Sequence, residues 1–546
     1  MAVVAAGGCG GSRKGFGDTF GDDGGASGGT DASGGDGGTS LVGDAGDDGG
    51  GLVTSDPTTC AEAAQSHSYV GCDYWPTVTA NIVWSIFDFA VVVANTGADT
   101  ATVHVTGPFD TDQTVTVDPD SLTKIYLPWV PALKGQDMDS CGTAVPFAAS
   151  VLARSAAFHL VSSVPVTVYQ FNALEYAGQG GPPGKDWSSC PGSALCDGIQ
   201  PIGCYSFTND ASLLLPSTAM TGNYRVTGHG GWSQASMGSF TAITATADDT
   251  TVSLKVSGTG SVTAGSNIAA TAAGGTLTLS LDAGDVAELV GGPTSASDLS
   301  GSLVQANHPV QIITGMPCIY VPDDQQACDH LEESNFPAET LGQDYVVALP
   351  TGPLANTVGQ LVRIYGNFDD TTLTYSPSKP AGCPATIDAG EVADCGIVTQ
   401  DFEVSGDNSF AVGTFTQGAS VVDPDAFPTS QQGDPDESLI TAVKQYRTRY
   451  IFLAPSDYTN NYVVVVGPAG TTIALDGVTT SAAPTAVDST GFAVTRLRLE
   501  ASASSGAHVL TASKPVGIQV MGYGLGTSYQ YPGGLDLALI APPPTQ

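Results

Sequence analysis

A short motif that enters a strand through proline recurs along this chain and constrains its fold more than any other feature. It reads Ser163-Val164-Pro165-Val166-Thr167-Val168, then Asn307-His308-Pro309-Val310-Gln311-Ile312, then Ser513-Lys514-Pro515-Val516-Gly517-Ile518, with Asn408-Ser409-Phe410-Ala411-Val412 as a degenerate copy. Proline has no N–H to give to a sheet, so it is tolerated at the first residue of a strand, where that group would face a turn. A second pattern accompanies the first: an apolar strand, an acidic turn, then a Thr-Val strand. It occurs at residues 90–93 through Asp99 to Thr102-Val103 and at residues 240–245 through Asp248-Asp249 to Thr251-Val252. Later copies run from Ile364 through Asp369-Asp370 to Thr372-Leu373, and from residues 462–466 to Thr472-Ile473. Joint recurrence of two patterns is the mark of a repeated supersecondary unit and predicts about four related β units of about 80 to 110 residues.

A third element precedes the later units: Leu213-Leu214-Leu215-Pro216 to Tyr224, Asn335-Phe336-Pro337 to Tyr345, and Ile451-Phe452-Leu453-Ala454-Pro455 to Tyr462. These segments are expected to link and pack successive units. Runs rich in Val, Thr, Ile, Tyr and Phe are separated by Gly, Pro, Asn and Asp, and no convincing amphipathic helical window exists, so the fold class is all-β. The expected organisation is tandem β-sandwich-like units at 60–204, 205–334, 335–444 and 445–546, after a lipoprotein-type signal at 1–9 and a linker at 10–59.

That linker is almost entirely Gly, Asp, Ser, Ala and Thr, too poor in apolar residues to offset chain entropy, and is expected to be a disordered, self-repelling stalk. At its head Gly7-Gly8-Cys9 is similar to the end of a bacterial lipoprotein signal, which makes Cys9 the expected lipidation site. A basic start and a full apolar core, which such signals need, do not precede it. No stretch is long and apolar enough for a membrane helix, so the only membrane contact expected is through that lipid. With 54 Asp plus Glu against 16 Lys plus Arg and a net charge of -38, nucleic acid is excluded as a partner.

Setting Cys9 aside leaves ten of the 11 cysteines, enough for five bridges, and none has zinc-site spacing. Spacing suggests Cys318 with Cys328, Cys383 with Cys395, Cys190 with Cys196 and Cys60 with Cys72, leaving Cys141 with Cys204. An oxidising compartment follows.

The chain resembles the IgGFc-binding protein N-terminal domain family. The resemblance rests on residues 213–226, 240–256 and 528–535. Its most specific parts are Cys328-Asp329-His330-Leu331-Glu332-Glu333 with Pro337, Leu341, Gly342 and Tyr345, and the late Ser528-Tyr529-Gln530-Tyr531-Pro532-Gly533-Gly534. It implies a non-catalytic extracellular binding or adhesion module whose partner is an extracellular protein or glycan. It supplies no residue-level binding motif to carry over.

The chemistry is sparse. A literal G-x-S-x-G at residues 25–29 lies in the linker, there is no H-E-x-x-H or phosphate loop, and His104, His159 and His308 are scattered. One dense group of hard oxygen donors, Asp323, Asp324, Asp329, Glu332 and Glu333 beside His330, is a candidate calcium site within one clipped loop; otherwise no cofactor is expected. Paired carboxylates also fit a secreted carbohydrate-active enzyme, and a Thr-, Ser- and Asp-covered surface a structural envelope spacer. Turn propensity already explains Asp248-Asp249 and Asp369-Asp370, because acidic pairs that recur in turns are architectural.

Overall fold

Alternation sets the outer layer of the molecule. In the strand Ala101–Gly107, Ala101, Val103 and Val105 are buried while Thr102 and His104 are exposed, and the same two-residue period recurs in Thr250–Lys255 and Thr371–Ser376. Such strands rest one face on a core and turn the other to water. The preceding strands Phe89–Asn95, Phe240–Ala245 and Gln360–Gly366 are buried at every position, so both their faces are covered. The computed structural model describes residues 56–145, 147–196, 201–500 and 506–544; the expectations for Cys9, the signal at 1–9 and nearly all of the linker at 10–59 lie outside them.

Pairing of these strands gives four sandwiches, each of two antiparallel sheets. In the first, His159–Asn172 pairs with Gly71–Tyr74 and Ala101–Gly107 in one sheet, then with Phe89–Asn95 in the other. Pro165 stands where the strand passes between the sheets. The second sandwich breaks the same path into Leu303–Ala306 and Val310–Ile319, either side of Asn307-His308-Pro309, and the third into Phe402–Gly406 and Phe410–Phe415. The fourth runs Ala507–Gly524 unbroken through Pro515. The recurring proline therefore marks a change of sheet, where no ladder N–H is needed, and only sometimes a strand start.

A buried tyrosine locks each crossing. The hydroxyls of Tyr74, Tyr224 and Tyr345 donate to the carbonyls of Val166 (2.6 Å), Val310 (2.7 Å) and Phe410 (2.6 Å), and that of Tyr450 to Val516. In the last three the same oxygen accepts a backbone N–H three residues upstream, from Thr221, Gly342 and Arg447. The fourth copy of this tyrosine is thus Tyr450, and not Tyr462 as the Leu-Ala-Pro segment suggests. The acidic turns are equally regular: Asp248 accepts the N–H of Ala283 and Asp369 that of Ala389, both at 3.1 Å. Asp249 and Asp370 take positive φ (55° and 54°), which Asp tolerates in turns.

Each sandwich ends in a strand directed to the centre of the molecule: Asp210–Leu214, Asp329–Ser334, Glu437–Leu439 and Thr527–Pro532. Asp210–Leu214 pairs with His159–Asn172, so the first sandwich extends to Leu214, beyond the boundary expected at residue 204. Val151–Ala153 adds itself to the second sandwich by pairing with Val286–Val290. Sheet membership, which depends on long-range register, overrides the order in the chain at both places.

Although only 16 residues are Lys or Arg, Arg–Asp pairs stand at three of the junctions between sandwiches. Arg154 meets Asp285 (2.5 Å) beside the strand added to the second sandwich, and Arg363 meets Asp298 (2.5 Å) between the second and third. Arg496 meets Asp401 (2.7 Å) between the third and fourth, and Arg449 meets Asp120 (2.6 Å) where the fourth returns to the first. Tyr169 strengthens that return, its hydroxyl lying 2.8 Å from the Ile451 carbonyl and 2.9 Å from that of Gly533.

Five disulfides staple the loops. Cys60–Cys72, Cys318–Cys328 and Cys383–Cys395 close short segments, with separations of 12, 10 and 12 residues. The other four cysteines correct the spacing-based pairing: Cys141 joins Cys196 and Cys190 joins Cys204, exchanging the partners expected for Cys190 with Cys196 and Cys141 with Cys204. Cys190 is anchored by the short turns at Trp187–Ser189 and Pro191–Ser193, and the Gly178 N–H to Cys204 carbonyl bond (2.8 Å) holds Cys204 in the same wall.

Candidate functional site: a carboxylate hub and a junction cleft

Three of the four central strands, Asp210–Leu214, Asp329–Ser334 and Glu437–Leu439, carry acidic residues at positions that local patterning would leave apolar. Asp210 is fully buried, and its carboxylate accepts the N–H of its neighbour Ala211 (2.8 Å) and one from each of the other three strands: Glu332 (2.9 Å), Glu437 (3.2 Å) and Gln530 (3.3 Å). Asp329 does the same on the next strand, accepting the N–H groups of Asn209 (2.6 Å), His330 (2.8 Å) and Ser528 (3.1 Å) and the Thr527 hydroxyl (2.9 Å). Glu333 accepts from the Ser438 hydroxyl and the Leu439 N–H, both at 3.1 Å. These side chains replace the backbone partners that strand ends would otherwise lack.

Other acids in this hub are less well compensated. Among the described residues the Asp436 carboxyl has only loose contacts with the Ser528 and Thr416 hydroxyls and Asp434 with the Ala419 and Ala327 N–H groups, and the Glu437 carboxyl has no hydrogen-bond partner. Burial pushes Asp436 up to about 7 and Glu437 up to about 8. Burial, followed by the neighbouring Asp436, also lifts Asp210 well above the carboxylate range. On the other face of the strand, Glu332 accepts from Thr79 (2.5 Å), Gln170 (2.9 Å) and Asn172 (3.0 Å). Burial alone would raise Glu332, but His330 at 3.7 Å and these bonds hold it below its ordinary value.

The candidate calcium group is therefore not one site. Asp323 and Asp324 are exposed on a turn, whereas Asp329, Glu332 and Glu333 are buried on a strand whose successive side chains point to opposite faces. Among the described residues no three His, Cys, Asp or Glu side chains are grouped as a metal ion would require.

Asp323 and Asp324 instead line an open cleft of about 480 Å³ between the second and third sandwiches. One wall is the loop clipped by Cys318–Cys328, which presents Tyr320 against Trp232 (ring centroids 4.5 Å apart). The facing wall holds Asp394 and Ile397, beside the Cys383–Cys395 bridge. At the floor lie His229, edge-on to Phe415, and the buried guanidinium of Arg363. Burial would raise Asp298, and Arg363 more than reverses this, keeping the pair ionised. Burial, then the charge of Arg363, lowers His229, so the floor carries one fixed cation and a neutral imidazole beneath an acidic rim.

Sequence reasoning missed Asp210, Asp434, Asp436, Glu437, His229, Tyr320 and Arg363. The available signal was acid within otherwise apolar, repeated strand starts: Asp210-Ala211-Ser212-Leu213, Asp329-His330-Leu331 and Asp436-Glu437-Ser438-Leu439.

No curated protein matches the chain. Among solved structures, an anti-sigma factor domain-containing protein from Clostridium clariflavum aligns at 11% identity over 59% of this chain and 83% of that one, with a TM-score of 0.10, which carries no argument. The profile of the family described as IgGFc binding protein matches residues 210–522, from the hub aspartate into the fourth sandwich and including every residue of the cleft. It is a family of binding domains rather than of enzymes. That span is more than half of the 546 residues, and the chain belongs to the IgGFc-binding protein family.

Proposed function

We propose that this chain is an extracellular adhesion protein that grips its ligand in the cleft between the second and third sandwiches. The observation that carries this reading is the position of that cleft: it lies wholly within the family-matched span, and a disulfide clips each wall. Junctions between domains are where ligand sites concentrate, and a rigid rim lowers the entropy cost of binding. Tyr320 and Ile397 supply apolar contact, while Asp323, Asp324 and Asp394 supply acceptors for a donor-rich protein or glycan surface. Five disulfides agree with an oxidising, extracellular setting. A lipid tether at Cys9 is supported by Gly7-Gly8-Cys9 and by the pairing of all ten other cysteines.

The test is a binding screen of immobilised glycans, extracellular matrix proteins and immunoglobulin Fc against the intact protein and its Tyr320→Ala and Asp394→Asn variants. A ligand lost from both variants, with unchanged melting, supports the cleft. A ligand held equally by all three proteins overturns it. For the tether, protein expressed from its full upstream reading frame should partition into detergent with a diacylglycerol-sized mass gain that Cys9→Ser abolishes.

A further inference from the structure

A second cavity, of about 290 Å³, opens where the fourth sandwich returns to the first. Its lining includes Glu175, Asp457, Lys124 and Tyr126. Glu175 follows the long crossing strand of the first sandwich and is only 5% exposed, yet among the described residues no cation pairs with its carboxylate, which has the neutral Tyr126 hydroxyl beside it. The charged neighbours are already engaged. Asp88 is held by Lys185 at 2.6 Å, and Asp457 accepts the Tyr176 N–H at 2.9 Å with Lys124 as its counter-charge. Glu175 shares a hydrogen bond with Asp88 and otherwise has only the neutral Tyr126 hydroxyl beside it, so it is left without a counter-ion, and burial, then the charge of Asp88, lifts it to about 7. A buried carboxylate in that condition is costly unless a cationic donor reaches it.

The occupant must therefore bring both positive charge and N–H donors. A bare metal ion does not fit: no three acidic or histidine groups converge among the described residues, and the space far exceeds what one ion or one water fills. A neutral polyol would supply donors but leave the charge uncompensated. We propose that this pocket takes a primary ammonium or guanidinium group, with Glu175 as its counter-ion and Asp457 as a second acceptor, and that the group is a lysine or arginine side chain of the protein ligand. The source of the cation rests on the binding reading above; the pocket itself does not. A net charge of -38 favours a basic partner.

The experiment titrates the whole protein with N-acetyl-lysine methylamide and N-acetyl-arginine methylamide, followed by calorimetry and NMR at pH 8, with calcium and glucose as comparison probes. Saturable binding of either amide is expected, weakened about tenfold or more by Glu175→Gln and by Asp457→Asn. Lys124→Met should keep or tighten binding; abolished binding in that variant would overturn the assignment. Melting curves of each variant separate loss of the site from loss of the fold. Absence of amide binding at millimolar concentration, binding unchanged in Glu175→Gln, or calcium or glucose binding in place of the amides would each overturn the proposal. Amide binding in a protein that captures no protein ligand would keep the pocket and overturn only the source of the cation.

Discussion

The Asp210 carboxylate accepts the backbone N–H of Glu437 at 3.2 Å, across a sequence separation of 227 residues. Through Glu332 and Gln530 the same side chain reaches the two remaining sandwiches, so one residue ties together all four. Asp210→Ala would remove the side-chain acceptor of four buried N–H groups, one on each of the four central strands. The expected loss is at least about 3 kcal/mol, with Asp210→Asn milder because one acceptor oxygen remains. Urea denaturation followed by probes in different sandwiches checks this; a loss confined to the first sandwich would contradict the role of Asp210.

Acidity should stabilise this protein. Asp436 and Glu437 have folded values of about 7 and about 8, above those of the unfolded chain, because burial penalises their charged forms. Unfolding then releases protons, so their contribution is complete below about pH 4 and is lost as pH rises through 7 to 8. Melting temperatures measured from pH 4 to pH 9 should fall between about pH 4 and pH 8 and level off above, and Glu437→Gln should make the decline shallower.

Two tyrosines of the fourth sandwich should respond oppositely. Tyr450→Phe removes the bond to the Val516 carbonyl and the acceptor for the Arg447 N–H, a loss of about 1 to 3 kcal/mol. Among the described residues the Tyr462 hydroxyl is buried without a partner, so Tyr462→Phe should be neutral or slightly stabilising. Chemical denaturation of the two variants side by side decides between them.

Removing the Cys383–Cys395 bridge by a double serine substitution should loosen one wall of the cleft. Opening a loop of 12-residue separation weakens it by about 2 to 3 kcal/mol in the chain-entropy account. Hydrogen exchange should rise at Asp394, Gly396 and Ile397 and stay low in the strand Gln360–Gly366. Equal protection in both forms would show the wall to be held by packing alone.

Features set by local pattern could be read from the chain. The Pro-Val entries and acidic turns are consequences of sheet crossing and turn geometry, which a few adjacent residues determine. Four cysteines within residues 141–204 admit three pairings, and only the turns around Cys190 choose among them. Tyr450 was obscured because an apolar segment ending in proline, residues 451–455, points equally to Tyr462. The hub was hidden for a different reason: its long-range bonds join side chains to backbone groups between 106 and 320 positions away. No short window records such a relationship. It leaves only an acid where the alternation calls for an apolar residue.

The strand Thr527–Pro532 is the last in sequence of the four central strands and supplies the Gln530 N–H to Asp210. The largest buried cluster runs through several sandwiches, from Tyr169 and Tyr365 to Tyr529 and Tyr531, so neither that core nor the bonding of Asp210 is complete until this strand docks. When such a chain is delivered N-terminus first, the final contact is also the one of greatest sequence separation, and contacts of that kind close slowly. The last central strand thus works as a latch. A molecule truncated before it would lack the Tyr529 and Tyr531 rings of the shared core and the Gln530 N–H, leaving the Asp210 carboxylate open to water.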